Sequence, residues 1–219
     1  MKFRPGLIIQ PQEFWETCRS NYAHLKPTWE ITKGLTGFSR LKQFNLVFLD
    51  LIDFKGKTII DYGCGGGFLG KYLAEEKGIK RYIGIDIADR SLIKSEQMMR
   101  PIETCKSEFY LSEDIDDFAI FKADMFITVS CIQHFPDKEY LDDFLQRIDQ
   151  SGIEWVILHI KLALHGNNAE FYNNYSRPEK RGYGISCKIS SEYIGGFLPN
   201  YESVESPISQ YTIWRLKGE

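Results

Sequence analysis

The feature that most constrains this chain is a glycine cluster set between a buried strand and a helix. Thr58 to Gly63 reads TIIDYG, an apolar, β-branched run that breaks into Gly63-Cys64-Gly65-Gly66-Gly67. That is the pattern of a parallel strand covered on both faces and ending in a tight turn. Phe68 to Lys77 follows with helical spacing, Leu69, Tyr72 and Leu73 sharing one face, and Gly78 closes it. Glycines at such a turn let the backbone approach a ligand and leave the first N–H groups of the helix exposed to it.

From Ile59 onward, strand-like and helix-like stretches alternate. A second strand fits Arg81 to Ile87, and a polar helix from about Ser91 to Met99 is stopped by Pro101. Further strands fit Glu108 to Leu111, Met125 to Val129 and Trp155 to Ile160. The clearest later helix is Lys138 to Ile148, where Tyr140, Leu141, Phe144, Leu145 and Ile148 make one apolar face. This order predicts an α/β, doubly wound, mostly parallel sheet with helices on both faces and binding at the strands' carboxyl ends. Two strand candidates end the chain, Glu202 to Glu205 and Gln210 to Leu216, and a Ser206-Pro207 turn between them permits only an antiparallel pair. Residues 11–21 and 38–51 read as helical pieces, joined by a segment with Gly34 and Gly37. After Leu162 a polar, aromatic stretch rich in turn residues, HGNNAEFYNNYSRPEKRGYGIS, is expected to be a substrate loop.

Composition removes several function classes. The 219 residues suffice for one α/β core and not for two ordinary domains, so 1–219 is expected to be a single domain with attachments. With 27 Lys+Arg against 30 Asp+Glu the net charge is -3, which gives no global attraction to nucleic acid or anionic membrane. The longest apolar runs fall far short of the roughly 20 residues that cross a bilayer, and Met1 to Gln10 lacks a signal peptide's apolar region. A cytoplasmic chain with no membrane and no nucleic-acid partner is expected. The five cysteines are scattered and form no Cys-x-x-Cys pair, so reduced thiols and no metal site are expected.

The second strand ends in Asp86, 19 residues after Gly67 (86 − 67). This spacing sets an acid over the neighbouring strand tip, where it can accept both hydrogens of a ribose diol. Two ligands suit the arrangement. Gly65-Gly66-Gly67-Phe68-Leu69-Gly70 satisfies the dinucleotide pattern G-x-G-x-x-G. Against a dinucleotide stands Asp61 at the end of the first strand, which would repel a pyrophosphate and attract an ammonium group.

With Asp61, Gly63, Gly65 and Gly67 filling every place of D/E-x-G-x-G-x-G, the chain resembles the class I S-adenosylmethionine-dependent methyltransferases. Ala123 to Asp137, ADMFITVSCIQHFPD, is similar to that family's fourth strand and the motif after it. The resemblance is specific over roughly residues 40–160. It implies a Rossmann-like seven-stranded sheet with an antiparallel C-terminal strand and an N-terminal helical lid. On that plan residues 1–52 are the lid, 53–162 the cofactor-binding core, and 163–219 the substrate loop and terminal strand pair. It implies S-adenosyl-L-methionine as cofactor and S-adenosyl-L-homocysteine as product. The cofactor-binding set it implies is Asp61, Gly63, Gly65, Gly67, Phe68, Asp86, Ile87, Asp114, Ile115 and Ser130. Arg40 joins that set as a partner for the methionine carboxylate, or else is an exposed arginine at a helix start.

Methyl transfer from a sulfonium needs alignment and, for a weakly acidic hydroxyl, removal of a proton. The resemblance brings the loop after the fourth strand beside the donor, which makes His134 the candidate catalytic base or, alternatively, a hydrogen-bonding packing residue. His159 and Lys161 alternate with Ile160 at the end of the fifth strand and can face the cleft together; His165 follows in the loop. Tyr175 and Arg181, within a set including Arg177, Lys180 and Tyr183, can grip a small anionic molecule or one nucleotide. These five, His159, Lys161, His165, Tyr175 and Arg181, are the candidate substrate-binding residues. Ser130-Cys131-Ile132-Gln133 is not the Asn-Pro-Pro-Tyr type of tetrad found in amino methyltransferases of adenine or glutamine. The expected activity is methyl transfer to oxygen or nitrogen of a small-molecule acceptor. The alternatives are an RNA or protein methyltransferase and a non-catalytic cofactor-binding regulatory subunit.

Overall fold

Strand β1 (Thr58–Tyr62) is buried at every residue, because apolar layers cover both of its faces. Ile60 and Tyr62 belong to one core cluster and Ile59 to the other, as the two-residue period of a strand requires. A computed structural model describes residues 52–159, 167–173, 185–206 and 211–218. The chain continues through α1 (Phe68–Lys77), β2 (Arg81–Asp86), α2 (Asp89–Met99), β3 (Lys106–Leu111) and β4 (Met125–Thr128). Then come α3 (Lys138–Gln150), β5 (Trp155–His159), β6 (Ala169–Asn173), β7 (Ile185–Ile189), α4 (Ser191–Phe197), β8 (Tyr201–Val204) and β9 (Tyr211–Leu216). Single 3-10 turns stand at Ser112–Asp114, Ala119–Phe121 and Ile132–His134.

Seven strands form one sheet in the order β3-β2-β1-β4-β5-β9-β8. Strands β1 to β5 pair in parallel, and β9 runs antiparallel to both β5 and β8. This is the doubly wound, mostly parallel sheet that the alternating pattern implies, with the antiparallel terminal strand that the resemblance implies. Leu73 and Ala74 of α1 and Leu92 and Met99 of α2 pack on one face. Leu141, Phe144, Leu145 and Ile148 of α3, with Tyr193 and Ile194 of α4, pack on the other. Each fully buried aliphatic or aromatic side chain of these layers contributes about 1.5–3 kcal/mol.

The order of β1 and β4 in the sheet positions the site. The connections after β1 and β4 leave toward opposite faces, so a crevice opens above their carboxyl ends. Helix α3 starts beside that crevice. Its N-cap is Asp137, whose Oδ1 accepts the N–H of Tyr140 at 2.9 Å, which fixes where the helix begins.

Within the stretch expected to be a substrate loop, residues 169–173 form a strand, while 174–184 lie outside the described residues. Ala169–Asn173 and Ile185–Ile189 form an antiparallel two-stranded sheet, in register from Ala169 opposite Ile189 to Asn173 opposite Ile185. Cys187 and Ile189 are buried in the α3-side core, and the Cys187 thiol donates to the Ile132 carbonyl at 3.0 Å. A polar composition hid the short apolar alternation that lays this pair against the core. Helix α4 was also not expected. Its Gly195 and Gly196 are poor helix formers, yet Ser190 Oγ caps it by accepting the Tyr193 N–H at 3.0 Å. Of the segment 1–52 expected to form a lid, residues 1–51 lie outside the described residues. Among the described residues no helix is long and apolar enough to cross a membrane.

Candidate functional site

The turn after β1 is held from below and shaped by left-handed backbone. The N–H groups of Gly63 and Cys64 both donate to the Ile85 carbonyl of β2, at 2.7 and 3.0 Å. Gly63, Gly65 and Gly67 have φ of 78°, 59° and 77°, so each alternate glycine of the sequence motif occupies the region that side chains disfavour. At Gly63 space is excluded as well, for a Cβ there would lie 2.5 Å from Cβ and Sγ of Cys131. At Gly67, the N-cap of α1, it would collide with Ser95 Oγ. The glycines thus let the turn, the loop after β4 and helix α2 close around one point.

Asp86 stands where β2 ends and is buried. Its Oδ2 accepts the Gly65 N–H at 2.8 Å and its Oδ1 the Ala88 N–H at 3.0 Å. Each carboxylate oxygen can accept a second hydrogen bond, and Asp86 lines the cleft. Asp61 takes a different position. Its Oδ2 accepts the Tyr82 hydroxyl at 2.7 Å, on the α1 side of the sheet, and it is not part of the cleft wall. Burial, and then the Asp61 charge, push the Tyr82 phenol well above its usual range, so it remains a donor.

The cleft is a concave space of about 680 Å³ when the open solvent at its mouth is counted. Tyr62 and Gly63 come from the end of β1, Asp86 and Ile87 from β2, and Ser112 from the turn after β3. The opposite wall is the segment after β4, with Ser130, Cys131, His134, Phe135 and Pro136, and it is completed by Tyr140 of α3. Ser130 has φ 54°, uncommon for a residue with a side chain and a mark of a constrained turn. His159 of β5 fixes it: the Ser130 N–H donates to His159 Nδ1 at 3.2 Å, and Ser130 Oγ lies 3.4 Å from the same nitrogen. That imidazole packs at a tilt of 49° against the Tyr211 ring, with centroids 4.8 Å apart. His134 sits in the 3-10 turn Ile132–His134, its N–H donating to the Cys131 carbonyl at 2.8 Å and its Nε2 3.5 Å from Gln133 Nε2.

Of the residues anticipated from sequence, Gly63, Asp86, Ile87, Ser130 and His134 are brought together on this cleft. Gly65 and Gly67 shape the turn behind it. Phe68 opens α1 outside the cleft, with Lys94 Nζ 5.8 Å from its ring centre. Asp114 is exposed at the end of the Ser112–Asp114 turn, and the Ile115 side chain is buried in the α3-side core. His159 supports Ser130 rather than lining the cleft. Arg40, Lys161, His165, Tyr175 and Arg181 lie outside the described residues. Sequence reasoning missed the cleft roles of Tyr62 and Tyr140. Tyr62 lies inside the glycine motif, and Tyr140, assigned to the apolar face of its helix, keeps 37% of its surface exposed at the cleft.

A doubly wound sheet with a glycine turn, an acid at the tip of the second strand and a cleft over the β1–β4 crevice defines a nucleoside-cofactor protein. The residues fit S-adenosylmethionine: Asp86 retains acceptor capacity for a ribose diol, and the backbone of Gly63 lines the cleft beside it. A family model described as "Methyltransferase domain" matches residues 53–193. The ubiquinone biosynthesis O-methyltransferase of Vibrio vulnificus (strain YJ016) is 32% identical over 108 residues, 46% of this chain and 44% of that one. The ribosomal protein L11 methyltransferase of Tolumonas auensis is 41% identical over 70 residues, 32% of this chain and 24% of that protein. The chain thus spans less than half the length of these curated relatives. The crystal structure of the PH0226 protein from Pyrococcus horikoshii OT3 shares the fold, with TM-score 0.62 and 15% identity over 90% of this chain and 99% of that one. The chain belongs to the class I S-adenosylmethionine-dependent methyltransferases.

Proposed function

We propose that this protein transfers a methyl group from S-adenosylmethionine to an oxygen or nitrogen of a small-molecule acceptor. The observation that carries the reading is the lining of the cleft, where the aromatic side chains of Tyr62, Phe135 and Tyr140 stand beside Asp86. When bound, the cofactor supplies an activated methyl on a sulfonium, so the chemical difficulty lies outside the protein.

What remains for the chain's own residues is binding, orientation and one proton. Asp86 would accept the ribose hydroxyls, while Gly63 and Ser130 would give the backbone approach along the cofactor, with Ile87 against the base. Asp114 and the Ile115 N–H, at the end of the turn after β3, would be further contacts to the base. His134 would take the acceptor's proton as neutral imidazole. The relative from Vibrio vulnificus is named for O-methylation in ubiquinone biosynthesis and the one from Tolumonas auensis for methylation of ribosomal protein L11. The small-molecule reading is favoured here because the net charge of -3 gives no general attraction to RNA. Incubation with methyl-labelled S-adenosylmethionine and a panel of hydroxyl- and amine-bearing metabolites, with ribosomal RNA and ribosomal protein in parallel, tests it. Label entering only the macromolecules would refute the small-molecule acceptor.

A further inference from the structure

Tyr62 and Tyr140 form a hydroxyl pair for which none of the steps above finds a use. Their oxygens lie 2.8 Å apart, and both residues line the cleft. The Tyr62 ring is fixed among Phe144 (4.8 Å between centroids), Phe118 (5.8 Å), Phe126 (6.1 Å) and Phe135 (6.3 Å). Tyr140 is fixed through its N–H by the Asp137 cap. Two hydroxyls sharing one hydrogen bond keep one hydrogen and several lone pairs for a third group.

Topology identifies which part of the cofactor that group belongs to. Phe118, against the Tyr62 ring, follows the post-β3 segment that contributes Ser112 to the cleft. Seven residues beyond Tyr140 on α3, Arg147 donates to the carbonyls of Ile115 and of Asp116 (2.9 Å). Its guanidinium lies 4.7 Å from the Phe118 ring centre. The flank of α3 that carries Tyr140 therefore runs along the segment after β3, and Ile87 and Ser112 form the wall of the cleft adjoining it. With Asp86 holding the ribose, the base is directed toward that wall. We propose that, in addition to the Asp114 and Ile115 contacts, the Tyr62–Tyr140 hydroxyl pair binds the polar edge of the cofactor's purine base and contributes to which nucleoside the cleft accepts. A purine edge is neutral and offers donor and acceptor side by side, which a neutral hydroxyl pair matches. Burial holds the Tyr62 phenol well above its usual range, and burial raises Tyr140 as well, so both remain protonated.

The inference rests on S-adenosylmethionine as the cofactor, and calorimetry with S-adenosylhomocysteine separates the two claims. Tyr140→Phe and Tyr62→Phe, each removing one oxygen, should each weaken S-adenosylhomocysteine about 3- to 10-fold, as for a neutral hydrogen bond. The double variant should lose little more than either single one, because the pair acts as a unit. S-inosylhomocysteine, with a carbonyl in place of the exocyclic amino group, should bind the wild-type protein more weakly, and Tyr140→Phe should shrink that preference. Ligand-free melting curves, with Tyr193→Phe outside the cleft as a control, check folding; Tyr140→Phe carries the test should Tyr62→Phe not fold. Unchanged affinity and unchanged base preference in Tyr140→Phe would overturn the proposal, as would a change confined to acceptor KM. Failure of the wild-type protein to bind S-adenosylhomocysteine would overturn the cofactor assignment and this proposal together.

Discussion

At the scale of single residues, Asp86 and His134 carry the sharpest expectations. Asp86 sits at the meeting point of β2, the glycine turn and the cleft. Asp86→Ala should weaken S-adenosylhomocysteine by on the order of 1.5–3 kcal/mol, the worth of a hydrogen bond to a charged group, read by calorimetry. His134 makes a different prediction. If its imidazole accepts the acceptor's proton, turnover at saturating substrates should rise with pH as the ring loses its own proton. His134→Ala should then lower the maximal rate roughly 10²–10⁴-fold and leave cofactor affinity near the wild-type value. A flat pH profile with a near-normal rate in the variant would remove His134 from the chemistry.

At the scale of elements, the strand-turn-helix unit behaves as one device, because the turn's shape and its neighbours depend on each other. Gly63→Ala meets two costs, a side chain at φ 78° and a collision with Cys131 at 2.5 Å. The first costs about 1–2 kcal/mol. The second should lower the melting temperature further and weaken S-adenosylhomocysteine, since the wall after β4 must move. Replacing Cys131 with glycine in the Gly63→Ala background should restore the collision part and leave the backbone part, which chemical denaturation of both variants would resolve. An additive result would show that Gly63 and Cys131 do not crowd each other.

Across the molecule, the paired charges at the edge of the sheet tie stability to pH. On β3, Glu108 accepts the Arg81 Nε–H at 2.6 Å, with Lys106 Nζ at 3.2 Å and the Tyr110 hydroxyl at 3.1 Å. The hydrogen bond from Arg81, ahead of the smaller contributions, holds the Glu108 carboxyl down at about 2. A carboxyl lowered on folding stabilises the fold while it is ionised, so its contribution is present above its ordinary value and is lost as pH falls toward 2. For a partly exposed pair that contribution is about 1 kcal/mol. Glu108→Gln should therefore lower the urea midpoint at pH 6, and the gap to the wild-type protein should close as pH approaches 2. A gap independent of pH would assign the effect to packing instead.

The sequence by itself determined the sheet and the turn. Glycine at 63, 65 and 67 is legible because only glycine adopts positive φ without cost, and the buried β-branched runs announce parallel strands because they must bury both faces. The same local chemistry exposed Asp86 at a strand tip and the apolar face of α3. Tertiary structure decided what depends on distant partners. Asp61 and Tyr82 are 21 residues apart and met only because β1 and β2 pair in register, which carried the Asp61 carboxylate beneath the turn. Tyr62 and Tyr140 are 78 residues apart, and no local pattern states that a strand end and a helix start will share a hydrogen bond. The β6–β7 pair was hidden for the same reason: its alternation acquires meaning only once Cys187 and Ile189 have a core to enter. Local backbone preference is written residue by residue, whereas which side chains line a cleft follows from strand order and helix crossing, which no single segment encodes.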